Sequence, residues 1–272
     1  MIIYKYVDAW TLFAVIESGR LMFSHPADFN DPFDRPRVPR SQYKFTYQSL
    51  LNDETMTPER QAQDADEAWG RCAVTSFTRT PDNALMWAHY ADKHQGAVIE
   101  IDADESGLTD RSFLIPAQFG SVIYMKRPVP DGPKVKGLSA MLSKAITSGD
   151  GRFDIDNYAG LQRLFLMKGL SWGYEEEVRV VSQAFRYSWL DNGEDMGGYW
   201  KRISKADGKQ GYGWRFKLSA IKKVFIGLRF GEIGRLQALS ENIGFGIMCP
   251  DTTQRNDYEV HFKEYSSSEI SR

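Results

Sequence analysis

The sequence predicts an α+β fold with a single mixed or antiparallel central sheet and flanking helices. Strand-like and helix-like segments are intermixed along the chain, without the regular alternation of a doubly wound parallel sheet. The 272 residues are enough for one large domain with a sizeable core. We therefore predict one domain over residues 1–272, with one candidate hinge at the proline-containing residues 126–136.

The first elements follow from local sequence. Residues 2–7 are β-branched and aromatic, which predicts a strand. Asp8 suits a helix N-cap, and the apolar stripe that follows predicts a helix that Gly19 ends. Residues 21–23 predict a second strand, and the turn-rich residues 24–34 predict a loop.

Further helices and strands alternate irregularly along the rest of the chain. Two helices are expected to begin at Thr57-Pro58 and at Thr80-Pro81. The remaining predicted helices are residues 138–146, 158–168 and 232–242. The predicted strands are residues 72–77, 97–101, 121–124, 177–181, 214–218, 223–226, 244–248 and 259–262.

Composition excludes several classes of protein. The 34 basic and 36 acidic side chains give a net charge of −2, and 42% of residues are hydrophobic, so the chain is an ordinary globular one. Cys72 and Cys249 are too few for a disulfide framework or a cysteine-based zinc site, and no metal is expected. The longest apolar run, residues 12–16, is too short to span a membrane, and no leader opens the chain. We expect a soluble, cytoplasmic protein.

The densest candidate for chemistry is the acidic run before Arg179. In a strand, Glu175 and Glu177 would share one face with Arg179. Crowded carboxylates raise one another's pKa, which suits a general base or a group that holds a ribose hydroxyl. Trp172 and Tyr174 flank the acids and could stack on a planar ring. The alternative is a solvated acidic strand end with a structural ion pair.

Two other segments carry polar side chains of interest. Asn30 and Asp31 lie on a loop that could bind a cation or a sugar, although the same residues also favour an ordinary turn. The helix after Pro81 carries His89 and Tyr90, whose polar tips suit a cleft, beside residues that suit the core.

Residues 185–235 form a basic, aromatic-rich segment. Eleven lysines and arginines stand against five acids, an excess of six positive charges, and six Tyr and Trp residues are interleaved with them. This composition suits a nucleotide or nucleic-acid partner. A solvated loop with a few core aromatics explains it equally well.

Four motifs in order resemble the bacterial family called domain of unknown function 2971. They are Tyr4-Lys5-Tyr6, the Phe-Asn-Asp-Pro-Phe loop at 29–33, the Met-Trp-x-His-Tyr-Ala helix at 86–91 followed by Gly96, and the Lys…Trp-x-Tyr-Glu-x-Glu-x-Arg segment at 168–179. The resemblance covers residues 1 to about 182. The family name implies no activity.

A more distant similarity is to ADP-ribosyltransferases. Those enzymes carry a cationic or histidine residue on the first strand, a Ser/Thr-rich second strand and a late Glu-x-Glu. The comparable positions here are Lys5, residues 75–78, and Glu175 with Glu177. Lys5 departs from the pattern of those enzymes, in which the first-strand residue is usually arginine or histidine. The similarity implies an ADP-ribosyltransferase-like fold and NAD as co-substrate.

The same similarity implies roles for individual side chains. Glu177 would bind the ribose and stabilise its developing positive charge, and Glu175 would activate the acceptor. The implied cofactor-binding residues are Lys5, Tyr6, Ser76, His89, Tyr90, Trp172, Tyr174 and Arg179, and the implied substrate-binding residues are Asn30, Asp31 and Lys168. The acceptor would be a nucleic acid or a protein, in a toxin or phage-defence effector.

Two alternatives remain open from the sequence. A metal-dependent nuclease or phosphoesterase would use Asp31, Asp34, Glu175 and Glu177 with Lys168. A non-enzymatic sensor of a defence operon would use the aromatic cleft to bind a nucleotide or a foreign protein. The sequence leaves the oligomeric state undefined.

Overall fold

The computed structural model describes residues 1–29, 31, 34, 72–126, 152–183, 199–204, 210–253 and 259–266. Their strands are β1 (Ile2–Val7), β2 (Arg20–Ser24), β3 (Cys72–Phe77), β4 (Ala97–Asp102), β5 (Ile123–Met125), β6 (Met167–Gly169), β7 (Val178–Gln183), β8 (Trp200–Ser204), β9 (Gln210–Arg215), β10 (Ile221–Ile226), β11 (Gly246–Pro250) and β12 (Phe262–Glu264). Their α-helices are α1 (Ala9–Ser18), α2 (Ala84–Tyr90), α3 (Ala103–Ser106), α4 (Ile155–Phe165) and α5 (Ile233–Ile243). The predicted helices at 57–69 and 138–146 lie outside the described residues, as does most of the candidate hinge.

The strands confirm the α+β class, but they divide into two five-stranded sheets instead of the single central sheet we expected. The first sheet has the order β1-β4-β10-β11-β12 and is antiparallel except for the β10–β11 pair. The second has the order β7-β3-β2-β9-β8 and is antiparallel throughout. A short parallel pair, β5–β6, stands apart.

One backbone bridge links the two large sheets. Tyr4 on β1 donates to the carbonyl of Thr78 at 2.9 Å, and Thr78 donates back to Tyr4 at 2.8 Å. Beyond this bridge, β1 continues beside β4 and β3 beside β7. The side chains of β1, β3 and β7 near the bridge therefore converge at the junction of the sheets.

The main hydrophobic core lies between the two sheets. Ile3 and Ile99 from the first sheet pack in one cluster with Leu21 and Phe23 from the second, and all four are fully buried. Each such side chain contributes about 1.5–3 kcal/mol on burial. The core thereby fixes how β1 and β3 are placed at the junction.

Helix α1 follows its predicted signals closely. The Asp8 side chain accepts a hydrogen bond from the Thr11 amide at 2.6 Å, and Gly19 ends the helix with a φ of 61°. Helix α2 begins later than the predicted Thr80-Pro81 start, because Asn83 caps it by accepting from the Leu85 and Met86 amides.

Helix α4 spans Ile155–Phe165 and so ends before the predicted residue 168. The chain turns at Leu166 and pairs in parallel with β5, which places Lys168 on strand β6 opposite Tyr124. Leu161 and Phe165 of the helix pack on Val181 of β7 in a second core cluster. This packing holds β6 and Lys168 next to the second sheet.

Candidate functional site

A cavity of about 190 Å³ opens where the two sheets meet. Strands β1 and β3 contribute side chains on either side of the bridge, and α2, β6 and the segment before β7 complete the wall. The lining residues are Tyr4, Lys5, Tyr6, Phe29, Asp34, Ser76, Phe77, Thr78, Met86, Tyr90, Lys168, Glu175, Glu177 and Arg179. The wall is therefore aromatic on one side and densely charged on the other.

Arg179 organises the charged side of the cavity. Its guanidinium donates to both oxygens of Asp34, and to Glu177 from Nε at 2.8 Å and from Nη2 at 2.9 Å. A further bond from Nη1 reaches the carbonyl of Phe165 at 2.7 Å. Only 2% of Arg179 is exposed, so these charge-assisted bonds replace water almost completely.

Lys168 joins a third carboxylate to this cluster. Its Nζ donates to Glu175 Oε2 at 2.5 Å and to Glu177 Oε2 at 3.2 Å. Tyr90 Oη donates to the other oxygen of Glu175 at 2.6 Å, which ties α2 to the cluster. Every member of the charged cluster, defined as Asp34, Lys168, Glu175, Glu177 and Arg179, is at least nine-tenths buried.

Local backbone geometry brings Glu175 and Glu177 together. Residues 170–175 form a 3-10 helix instead of the expected strand, and Glu176 follows with a φ of 44°. This left-handed residue turns its own side chain to solvent while Glu175 and Glu177 both point to Lys168. The two glutamates share a site as predicted, but a turn places them there and not strand alternation.

Gly120 allows β7 to lie close to the preceding loop at this site. The Arg179 amide donates to the Gly120 carbonyl at 2.8 Å. A Cβ atom on Gly120 would stand 2.0 Å from the Arg179 carbonyl oxygen, so no other residue fits here without a backbone shift.

The pKa of Glu177 is lowered, whereas crowding of carboxylates had predicted a raised value. Burial alone would raise it, but the Arg179 guanidinium, together with Lys168 and a hydrogen bond from Ser76, lowers the pKa to about 2. The pKa of Lys168 is raised, because Glu177 and Glu175 outweigh the effect of burial. Glu177 is therefore an ionised carboxylate at neutral pH.

Acid should remove the stability that ionised Glu177 provides. Its pKa falls from 4.5 to about 2 on folding, so the contribution is complete above pH 4.5 and is lost between about 4.5 and 2. The pKa difference corresponds to a free energy of unfolding on the order of 3 kcal/mol. We expect urea unfolding at pH 7 to show wild type more stable than Glu177→Gln, and this advantage to shrink by pH 3. An advantage that does not change with pH would contradict the assignment.

Lys5 and Ser76 face each other across the sheet junction. Lys5 Nζ donates to Thr75 Oγ1 at 3.1 Å and to the Ser76 carbonyl at 2.9 Å, and it lies 5.0 Å from the Phe77 ring centre. The Ser76 side chain is close enough to Glu177 to help lower the pKa of that carboxyl group. One cavity is therefore lined by Lys5 of β1, Ser76 of β3 and Glu177, which directly precedes β7.

The predicted cofactor-binding residues divide into two groups in the structure. Lys5, Tyr6, Ser76, Tyr90 and Arg179 line the cavity. The others form an aromatic row beside it, in which the Tyr174 ring lies 6.4 Å from that of His89 and 6.1 Å from that of Trp172. The row contacts the cavity wall through Lys168, whose Nζ lies 5.0 Å from the Trp172 ring centre.

The predicted substrate-binding loop is described only in part, because Asn30 lies outside the described residues. Asp31 is buried and is not among the residues that line the cavity. Asp34, three residues later, binds Arg179 and does line it. Lys168 lies on the wall as predicted.

Sequence reasoning missed several wall residues, notably Thr78 and Phe29. Alternation along the strand could have indicated Thr78, which is two residues after Ser76 and shares its face. Phe29 packs 5.1 Å from the Arg179 guanidinium, a contact between distant segments that carries no local signal.

The described part of the basic segment is distributed over both sheets. Lys201 and Arg215 lie on the second sheet, whereas Lys222 lies on the first. Lys222 pairs with Glu105, and Arg235 pairs with Glu17 and with Glu232 at 3.3 Å. Part of the excess charge is therefore neutralised by acids from outside the segment.

Fold and site together define an α+β protein with a charged, aromatic-lined cavity at the junction of two sheets. Residues 86–180 match the model of a family described as "Protein of unknown function (DUF2971)", which confirms the family resemblance over helix α2 through strand β7. The Tyr4–Tyr6 and 29–33 motifs lie outside the matched segment. No curated protein and no solved structure matches the chain.

Two features are absent from the described ranges. No helix there is long and apolar enough to cross a membrane. No group of three or more His, Cys, Asp or Glu side chains in the same ranges is arranged to hold a metal ion.

Proposed function

We propose that this protein is an NAD-dependent ADP-ribosyltransferase. One observation carries the proposal: a single cavity is lined by Lys5, Ser76 and Glu177, and Ser76 is among the groups that lower the pKa of Glu177. These are the positions that the similarity to ADP-ribosyltransferases singles out, and they are far apart in sequence. NAD would supply the ADP-ribosyl group and a nicotinamide leaving group.

Glu177 is suited to stabilise positive charge that develops on a ribose. Its carboxylate is ionised at neutral pH and fixed by Arg179 and Lys168, so it needs no reorganisation during a reaction. A carboxylate accepts about four hydrogen bonds, and among the described residues Arg179 and Lys168 supply three charged ones to Glu177, while the neutral Ser76 side chain faces the same carboxylate. The Ser76 hydroxyl can rotate, so a ribose hydroxyl would take its place on Glu177.

The size of the cavity fits part of NAD. At about 190 Å³ it is smaller than the ~300–1,000 Å³ of pockets that enclose drug-sized ligands. We therefore assign it to the nicotinamide ring and its ribose, with Tyr90 as the stacking side chain on its wall. Lys5 would face the pyrophosphate. All five N–H groups of Arg179 already donate to Asp34, Glu177 and the Phe165 carbonyl, so Arg179 would instead hold Glu177 in place.

Glu175 would activate the acceptor. Its two oxygens are held by Tyr90 and Lys168, and the aromatic row of His89, Trp172 and Tyr174 begins beside it. An acceptor nucleic acid or protein would approach from that side. An enzyme that modifies a macromolecule with ADP-ribose would act as a toxin or a phage-defence effector.

The nuclease alternative is supported less well by the same geometry. Its carboxylates Asp34, Glu175 and Glu177 are bound by Lys168 and Arg179, whose positive charges stand where a divalent cation would need to lie. Its fourth carboxylate, Asp31, is not on the cavity wall.

The proposal is tested by incubating the wild-type protein with adenylate-labelled NAD and a bacterial extract. We expect labelled macromolecules and release of nicotinamide, with protease or nuclease digestion of the product identifying the class of acceptor. Absence of both label transfer and NAD loss would refute the transferase. Magnesium-dependent loss of RNA or DNA in the same extract would support the nuclease instead.

A further inference from the structure

Lys5 differs from the other lysine of the cavity in its partners. Lys168 binds two carboxylates, whereas Lys5 Nζ donates only to neutral oxygens, those of Thr75 and Ser76. Among the described residues, no carboxylate lies within 4.0 Å of the Lys5 amine. The Lys5 amine therefore lines a ligand-sized cavity without a described carboxylate in direct contact with it.

This environment favours the neutral form of the amine. Burial lowers the pKa of Lys5 to about 8, and the charge of Glu177 opposes that change only in part. The charged groups that line the cavity with Lys5 are Asp34, Lys168, Glu175, Glu177 and Arg179; their formal charges sum to −1, a charge that works against the effect of burial but does not outweigh it. A neutral amine is a nucleophile for carbonyl carbon.

We infer that Lys5 is a nucleophilic amine that captures small aldehydes in the cavity as imines. The amine nitrogen forms a bond to the carbonyl carbon, and the π electron pair moves to the oxygen, which takes a proton from the amine. In the resulting carbinolamine the nitrogen lone pair then forms the C=N bond as the C–O bond breaks, and the hydroxyl leaves as water with the second amine proton. The step consumes no oxidant or reductant, and it does not require NAD.

The cavity also indicates which aldehydes fit. Its volume of about 190 Å³ is large enough for a one-ring or short-chain aldehyde. The Phe77 ring centre lies 5.0 Å from the amine, and Tyr4 and Tyr6 also line the cavity. Thr78 lines the same wall, and its buried hydroxyl has no hydrogen-bond partner within the described structure. A planar one-ring aldehyde with a hydrogen-bonding ring atom suits these groups best.

The test uses pyridine-3-carbaldehyde as the probe and cyanoborohydride to trap the imine. The full-length protein is labelled at pH 7.5, and the modified lysines are located and timed by peptide mass spectrometry. Lys201, which is exposed on strand β8, serves as the internal reference. Because far more of the Lys5 amine is neutral at this pH, we expect its adduct to form about tenfold faster or more. The rate for Lys5 should level off above a midpoint near pH 8.

Two outcomes would overturn this inference. One is labelling of Lys5 no faster than Lys201 in wild type, a comparison that needs no variant. The other is a Lys5 rate that still rises without a midpoint near pH 8. Lys5→Arg keeps the positive charge and should lose the cavity adduct while Lys201 labelling is unchanged. The aldehyde-labelling assay contains no NAD, so its failure would not affect the transferase proposal. Failure of the NAD assay would likewise not affect the inference about Lys5.

Discussion

Replacing Glu177 by glutamine is expected to lower NAD turnover by about 10²–10³-fold, the usual cost of removing one fixed group that stabilises transition-state charge. Glutamine has the same shape as glutamate but lacks the negative charge that the ribose would require. The substitution should lower kcat more than it changes KM, because the charge matters most when positive charge develops. The measurement is nicotinamide release over time at several NAD concentrations.

Glu176→Gln is the matched control for that experiment. Glu176 is the neighbouring glutamate, it carries the same charge and its side chain points to solvent. We expect its turnover to equal that of wild type. Equal losses in the two variants would indicate a general effect of charge on the 175–177 segment, and an active Glu177→Gln would remove Glu177 from the catalytic role. Circular dichroism would establish that both variants are folded.

Local signals in the sequence were sufficient for the early part of the fold. Asp8, Gly19 and the apolar stripe between them predict helix α1, and the structure confirms both the cap and the left-handed end. Division of the strands into two sheets was not predictable in the same way. It depends on which strands pair: β1 pairs with β4 and β3 with β7 across long stretches of sequence, and the Tyr4–Thr78 bridge then links the two sheets. No local propensity records such pairings.

The candidate site was likewise predictable from the sequence only in part. The grouping of Glu175, Glu177 and Arg179 was visible from the sequence, because short spacings restrict where side chains can point. The pKa shifts of these groups could not be predicted from the sequence. The partners that lower the pKa of Glu177 include Lys168, which reaches it because helix α4 ends early and β6 pairs with β5. A run of acids in sequence therefore predicted the location of the site but the wrong direction for its pKa.

The charged cluster has a structural role as well as the proposed catalytic one. It joins Asp34, β6 and β7 by bonds that exclude water, and a buried charge without a partner costs several kcal/mol. Any substitution in the cluster will thus change stability together with activity. Stability measurements are needed to separate the two, and Arg179 is the residue where the structural effect should be largest.

Arg179→Met is expected to lower the free energy of unfolding by about 3–5 kcal/mol, the usual effect of removing one partner of a buried ion pair. The variant leaves Asp34 and Glu177 buried without the guanidinium that binds both, and it removes a hydrogen bond to the Phe165 carbonyl. Arg179→Lys should recover only part of the loss, because an ammonium group cannot form two parallel pairs of bonds. Urea unfolding followed by tryptophan fluorescence measures both variants.

Arg235→Met provides the comparison for that measurement. Arg235 also pairs with two carboxylates, Glu17 and Glu232, but about half of its side chain is exposed. Water and salt already screen its charges, so little change in stability is expected. A loss for Arg179→Met as small as that for Arg235→Met would mean that water enters the site and solvates Asp34 and Glu177. The low pKa of Glu177 and its proposed role as a fixed, desolvated carboxylate would then both have to be abandoned.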